Sequence, residues 1–101
     1  MKYGLENSVI EAIEKVLSGF PEVEEAIIYG SRAKGNYKNG SDIDITLKGE
    51  SLNMTVLNSI VNHLDDLLLP YTFDLSIYKQ ISNSDLIEHI SRVGLIFYVK
   101  K

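Results

Sequence analysis

Three aspartates carry the chemistry that this sequence could perform. Asp42 and Asp44 stand two apart in a segment running from Asp42 to Leu47, which alternates strictly between polar and apolar residues. On a strand, such neighbours project from one face, with Cα atoms roughly 6.6 Å apart. Two carboxylates at that reach can converge on a hard cation. Mg²⁺ prefers oxygen ligands and keeps several waters, so one or two carboxylates with phosphate oxygens suffice to hold it. Asp74 falls in the polar phase of a second alternating segment, Thr72 to Ile77. If the two segments pair, three carboxylates meet on one surface. They repel one another unless a cation is present or one of them is protonated. A lone pair of aspartates in this spacing is more often solvated surface. A third carboxylate in matching phase weakens that reading.

Gly30-Ser31 directly follows the apolar run Ala26 to Tyr29 and opens a small, polar, basic stretch that reaches Ser41. Glycine lets backbone approach a bulky anion, and free amides at a turn bind phosphate well. The Ser31 hydroxyl is a further donor. Arg32 and Lys34 add positive charge where a triphosphate would lie. Taken alone, the feature reads more readily as a turn glycine with surface cations, because a short glycine loop is a weak motif. Two better-known phosphate loops do not fit. Gly30 and Gly35 have the gap of a Walker A loop, but Asn36-Tyr37 stands where lysine and a hydroxyl residue are required. The dinucleotide fingerprint fails at Arg32, which occupies its second glycine position.

These residues need elements to position them. Leu5, Val9, Ile13, Val16 and Leu17 recur at helical spacing and predict a first helix, stopped by Gly19 and Pro21. Ser8 to Glu11 reads as a capping box, but Leu5 fits the same stripe and argues for an earlier start. Val23 to Tyr29 predicts a buried strand. Gly30 to Ser41 predicts a loop with room for one helical turn. Asp42 to Leu47 predicts a strand with Ile43, Ile45 and Leu47 facing the core, ended by Gly49. Leu52, Val56, Leu57, Ile60, Val61, Leu64, Leu67 and Leu68 predict a second long helix, closed by Pro70. Thr72 to Ile77 is a strand with Phe73, Leu75 and Ile77 inward. A further helix, capped at Ser82 or Asn83, carries Leu86, Ile87, Ile90 and Val93, with Gly94 as its natural stop. Leu95 to Val99 is a last strand. The fold class is therefore α/β (α+β): a small mixed β-sheet, helices packed on one face and a site on the other.

Composition bounds the rest. The 101 residues, 1–101, read as one domain. At 45% hydrophobic and 24% charged, the chain is too apolar to be globally disordered. The net charge of −4 leaves no basic stripe of the kind that grips a nucleic-acid polymer. There is no cysteine, hence no disulfide, thiolate metal site or cysteine nucleophile. No apolar run approaches the roughly 20 residues of a membrane span, and no signal-peptide pattern opens the chain. A cytoplasmic setting is the expectation. His63 and His89 lack a second ligand at helical spacing and read as surface or satisfied histidines. Tyr29 and Tyr78 flank the proposed site as packing residues. Tyr37, in the polar loop, is open to contact with a base or a partner.

Taken together, Gly30-Ser31, ten intervening residues and Asp42-Ile43-Asp44 resemble the signature of the DNA polymerase β-like nucleotidyltransferases. The stretch from Tyr29 to Ile45 is similar to the small prokaryotic branch, the minimal nucleotidyltransferases. Phe73-Asp74-Leu75 matches the third carboxylate of that family, and Ile90 to Gly94 is similar to its terminal segment. The resemblance implies a polymerase β palm-like nucleotidyltransferase fold. It implies that Gly30 and Ser31 hold phosphates, with Arg32 as an added phosphate contact. It also implies that Asp42, Asp44 and Asp74 bind two Mg²⁺ ions, about 3.5–4 Å apart, which support in-line attack on the α-phosphate of ATP. Finally, it implies a partner. Such proteins are often paired with a HEPN-domain ribonuclease toxin and neutralise it by transferring AMP to a tyrosine. The chain would then be an antitoxin in a hetero-oligomer. A net acidic charge suits a basic protein partner better than a nucleic acid. The alternative is a nucleotide-binding antitoxin that neutralises its partner by complex formation without transfer. A third reading keeps the enzyme with a small hydroxyl compound as acceptor.

Overall fold

A computed structural model describes residues 1–101. The elements are α1 (Asn7–Ser18), β1 (Glu25–Tyr29), a one-turn α2 (Ser31–Lys34), β2 (Ile43–Lys48), α3 (Met54–Asp65), β3 (Phe73–Ile77), a short 3₁₀ turn (Tyr78–Gln80), α4 (Ser84–Val93) and β4 (Leu95–Val99). The four strands form one mixed sheet in the order β3-β2-β1-β4. β1 runs antiparallel to both β2 and β4, whereas β2 and β3 are parallel. A parallel pair needs a crossover connection, and α3 supplies it. No helix is long and apolar enough to cross a membrane.

The core lies between α1, α3 and one face of the sheet. Ile13 and Leu17 from α1, and Leu57, Ile60 and Leu64 from α3, meet Ala26, Ile28, Ile43, Ile45, Leu47, Ile77 and Phe97 from the strands. The alternation in β2 is thus realised as expected, with Ile43, Ile45 and Leu47 buried on the helix-covered face. α4 sits apart. Its one buried residue, Ile90, lies outside this cluster and lines a small cavity with Ile27, which points from β1 to the opposite face.

Four element ends are set by local causes, some as the pattern suggests and some not. α1 starts at Asn7 with Glu6 as N-cap and no side-chain cap, so Ser8 lies inside the helix and its capping box is not formed. Leu5 instead closes a tight N-terminal bridge with Lys2 and is fully buried. α3 ends at Asp65, well before Pro70, and Leu68 takes φ 55° and is 89% exposed. The chain turns there, so that Leu67 and Leu69 pack against the core and Leu68 cannot. Asn83 is the α4 cap, accepting from the N–H groups of Asp85 and Leu86. Gly94 stops α4 with ordinary extended backbone, φ −64° and ψ 143°. Its glycine is required by space: a Cβ there would collide with the Ile90 carbonyl and press on Ile27.

Ile45 is 1% exposed at the centre of the core-facing row of β2. Ile45→Ala is expected to lower stability by about 2–5 kcal/mol. Urea unfolding should show a lower midpoint with an unchanged slope. A loss below about 0.5 kcal/mol would contradict this packing.

Candidate active site

Strand register brings the carboxylates together. In the parallel pair, Asp44 stands directly opposite Asp74, and Thr46 opposite Ser76. In the antiparallel pair, Tyr29 stands opposite Asp44. Tyr29, Asp44 and Asp74 therefore form one row across three strands, on the face turned away from α1 and α3. Asp42 lies on the same side, just before β2 begins. Asp42 and Asp74 are exposed and Asp44 is half-buried.

The row behind is uncharged. Ser76 Oγ donates to Thr46 Oγ1 at 2.9 Å, and the Tyr29 hydroxyl is hydrogen-bonded to Ser76. Thr46 is fully buried and Tyr29 only 6% exposed. Tyr29 is therefore a packing residue of the site floor, as its position beside the apolar run suggested. Burial first, and then the negative charges of Asp74 and Asp44, push its phenol above its ordinary value, against the Ser76 bond.

Gly30 forms the rim beside Asp44. It has φ 74° and ψ −156°, a conformation that side-chain-bearing residues avoid. A Cβ at this position would also collide with the Asp44 carboxylate. Backbone and carboxylate can approach this closely only because residue 30 is glycine. Ser31 then opens α2, whose single turn is closed by Lys34 N–H to the Gly30 carbonyl at 3.0 Å and Gly35 N–H to the Ser31 carbonyl at 2.9 Å. Ser31 is partly exposed beside this rim, and Lys34 is exposed on the turn.

Arg32 does not stand where a phosphate contact was expected. It is 3% exposed, and its guanidinium donates from Nε and Nη2 to the Ser41 carbonyl at 3.0 and 2.9 Å, and from Nη1 to the Tyr3 carbonyl at 2.9 Å. The rings of Tyr37 and Tyr71 lie 5.5 and 5.0 Å from it. Its donors hold the loop end one residue before Asp42, so its role here is structural. Tyr37 is drawn in with it and rests on Gly4, while its ring stays exposed on the other side.

His89 is the residue whose place sequence reasoning did not find. Its Nε2 accepts from the Gly30 N–H at 3.2 Å, and its ring meets Tyr29 edge-on, with centroids 6.1 Å apart. It is a satisfied histidine, as expected, but the partner that satisfies it is the glycine turn. No local signal marks this, because the two residues lie 59 positions apart. His63 is also satisfied, at the Ser59 carbonyl and the edge of Phe20.

No group of three His, Cys, Asp or Glu side chains converges tightly enough to hold a metal ion unaided. The donor set nevertheless fits a hard cation. Three carboxylates share one face, the glycine rim leaves Asp44 uncrowded, and the charges already act on one another. Burial, then Asp74 and Asp42, push the Asp44 carboxyl above its ordinary value.

That direction sets a pH dependence. A carboxyl raised in the native state holds its proton more tightly when folded, so its ionisation lowers stability as pH rises from the ordinary carboxylate range through the raised native value. Asp44→Asn is therefore expected to melt higher than the parent at neutral pH in metal-free buffer. The gap should close in acid, below the ordinary carboxylate range. A variant that melts lower at neutral pH would make Asp44 a structural hydrogen-bonding group instead.

Comparison with known proteins follows this geometry. The family described as Polymerase beta, Nucleotidyltransferase matches residues 11–101. No curated protein sequence matches the chain. Among solved structures, a toxin–antitoxin complex with AMP-PNP contains a chain 20% identical, with a TM-score of 0.73, covering 91% of this chain and 74% of that one. A tri-AMPylated Shewanella oneidensis HEPN toxin in complex with an MNT antitoxin gives 17% identity and a TM-score of 0.70, covering 95% and 74%. A candidate nucleotidyltransferase of Sulfolobus solfataricus gives 24% identity and a TM-score of 0.53, covering 95% and 91%. These likenesses establish a shared fold. With the family match spanning nearly the whole chain, and Gly30, Asp44 and Asp74 gathered at one edge of the sheet, this protein belongs to the polymerase β nucleotidyltransferase family.

Proposed function

We propose that the protein is a Mg²⁺-dependent nucleotidyltransferase that moves AMP from ATP to a hydroxyl, a tyrosine in particular, of a HEPN-domain toxin, and so acts as its antitoxin. One observation carries this reading: Asp44 stands opposite Asp74 beside a glycine rim that a side chain would obstruct. The shared fold with an antitoxin bound to an AMPylated HEPN toxin supports the choice of acceptor class. The shared fold with an AMP-PNP complex supports a nucleoside triphosphate as donor.

In this reading Asp42, Asp44 and Asp74 hold the metal, and the Gly30-Ser31 rim receives the triphosphate. Held by these carboxylates, Mg²⁺ would supply positive charge against the triphosphate and the departing pyrophosphate. The acceptor oxygen attacks the α-phosphorus in line. A phosphorus–oxygen bond forms to the acceptor, the bond to the α–β bridging oxygen breaks, pyrophosphate leaves, and the acceptor hydroxyl loses its proton. The protein's own part is to fix the three carboxylates and the rim before the triphosphate arrives. Preorganised charge of this kind costs no rearrangement during reaction. The exposed positions of Asp42 and Asp74 leave the face open to an acceptor carried by another chain.

The test uses ATP labelled on the α-phosphate, Mg²⁺ and an unmodified HEPN-domain partner whose starting mass has been checked. Label is expected on the partner, with pyrophosphate released. Asp42→Ala and Asp44→Ala should each lower transfer by at least about a thousandfold while the protein stays folded. An unlabelled partner that is still neutralised in the complex would replace this reading with the non-catalytic antitoxin. Label on a small hydroxyl compound alone would replace the acceptor.

A further inference from the structure

The Gly30 amide is already committed. A backbone N–H is a single donor, and here it goes to His89 Nε2 at 3.2 Å. An imidazole nitrogen that accepts leaves the ring proton on Nδ1, so this bond requires the Nδ1–H tautomer of His89. The ring is held from two sides. Its edge-on contact with Tyr29, at 80° between planes, fixes it over β1. Its helix is fixed by the Asn83 cap at one end and by Ile90 and Gly94 packed on Ile27 at the other.

We propose that His89 is the positioning residue of the glycine rim: its Nε2 holds the Gly30 N–H, which leaves Ser31 to present its amide and hydroxyl to the phosphate. Gly30 then serves by shape, and Ser31 serves by donation. The glycine contributes the missing Cβ that lets the ligand and Asp44 share the rim. The part concerning phosphate rests on the nucleotidyltransferase reading. The part concerning the rim does not.

The experiment uses ¹⁵N-labelled full-length protein, with Mg²⁺ and α,β-methylene-ATP as the probe. Long-range ¹H–¹⁵N spectra should show His89 as the Nδ1–H tautomer, with coupling across the hydrogen bond between the Gly30 nitrogen and Nε2. On saturation with the probe that coupling should persist, while the Ser31 amide shifts. By calorimetry, His89→Ala should bind the probe about tenfold more weakly. His89→Gln, whose side-chain oxygen reaches the same place, should recover most of the loss. Circular dichroism confirms that both variants are folded. Absent coupling, coupling lost when the probe binds, parent-like affinity in His89→Ala, or no recovery in His89→Gln would each overturn the assignment. If the parent protein binds no probe, the nucleotidyltransferase reading falls, and the coupling alone decides whether His89 fixes the rim.

Discussion

The register between β2 and β3 is the constraint on which the rest depends. Two like charges, Asp44 and Asp74, are held directly opposite each other. Their own face offers one bond across the pair, from Ser76 Oγ to Thr46 Oγ1, while burial first, and then Asp74 and Asp42, push the Asp44 carboxyl in this arrangement above its ordinary value. The arrangement persists because the other face of the same two strands is buried. Side-chain direction alternates along a strand, so a one-residue slip of β2 would turn Asp44 inward and expose Ile43, Ile45 and Leu47, and one of β3 would turn Asp74 inward and expose Ile77. Each buried aliphatic side chain is worth about 1.5–3 kcal/mol over exposure, and two partly exposed carboxylates repel by less than that sum. Packing against α1 and α3 therefore decides where the aspartates stand. α3 contributes twice, as a core helix and as the crossover that makes the pairing parallel.

The same economy explains the spacing between Gly30-Ser31 and Asp42. The intervening segment is pinned at both ends. His89 holds the Gly30 amide, and Arg32 holds the Ser41 carbonyl. Between them, Gly35 and Gly40 turn the chain at φ 90° and 81°. Arg32 also reaches back to the Tyr3 carbonyl, so the N-terminal turn is tied to the approach to Asp42. A buried guanidinium with three donors satisfied by carbonyls, and two tyrosine rings over it, makes a rigid clamp. Loop length, in this account, is the distance between two clamps.

What could be read from the sequence follows from this division. β2 and β3 were legible because period-two alternation reports directly which face is buried, and Asp42, Asp44 and Asp74 fall in its polar phase. α1 and α3 were legible as apolar stripes, but not their ends. Leu68 continues the stripe on paper, yet the chain has already turned. The roles of Arg32 and His89 were not legible, because each depends on a partner that only the folded chain brings near. Arg32 sits beside a glycine rim in sequence, where a cation suggests an anion. In space its neighbours are two carbonyls and two aromatic rings. α4 carries a clear helical signal, but that signal does not say on which face of the sheet the helix lies. Its contact with Ile27 puts it beside the carboxylate row, which is how His89 comes to reach Gly30.

The unconverged state of the carboxylates is consistent with the function proposed here. A cluster drawn tight without a cation would concentrate the repulsion that the structure already shows at Asp44. Leaving Asp42 and Asp74 exposed keeps them hydrated and limits that cost. Any ligand bound only by the folded protein stabilises it by mass action. The rigid and yielding parts of the site are thereby separated. The floor of Tyr29, Thr46 and Ser76 and the two clamps are hydrogen-bonded and buried or partly buried, so they hold position. The two outer aspartates are on the surface, where side chains reorient readily. A held rim with exposed outer carboxylates suits the function proposed, which must admit both a triphosphate and an acceptor on another protein. A fully enclosed pocket would suit only the first.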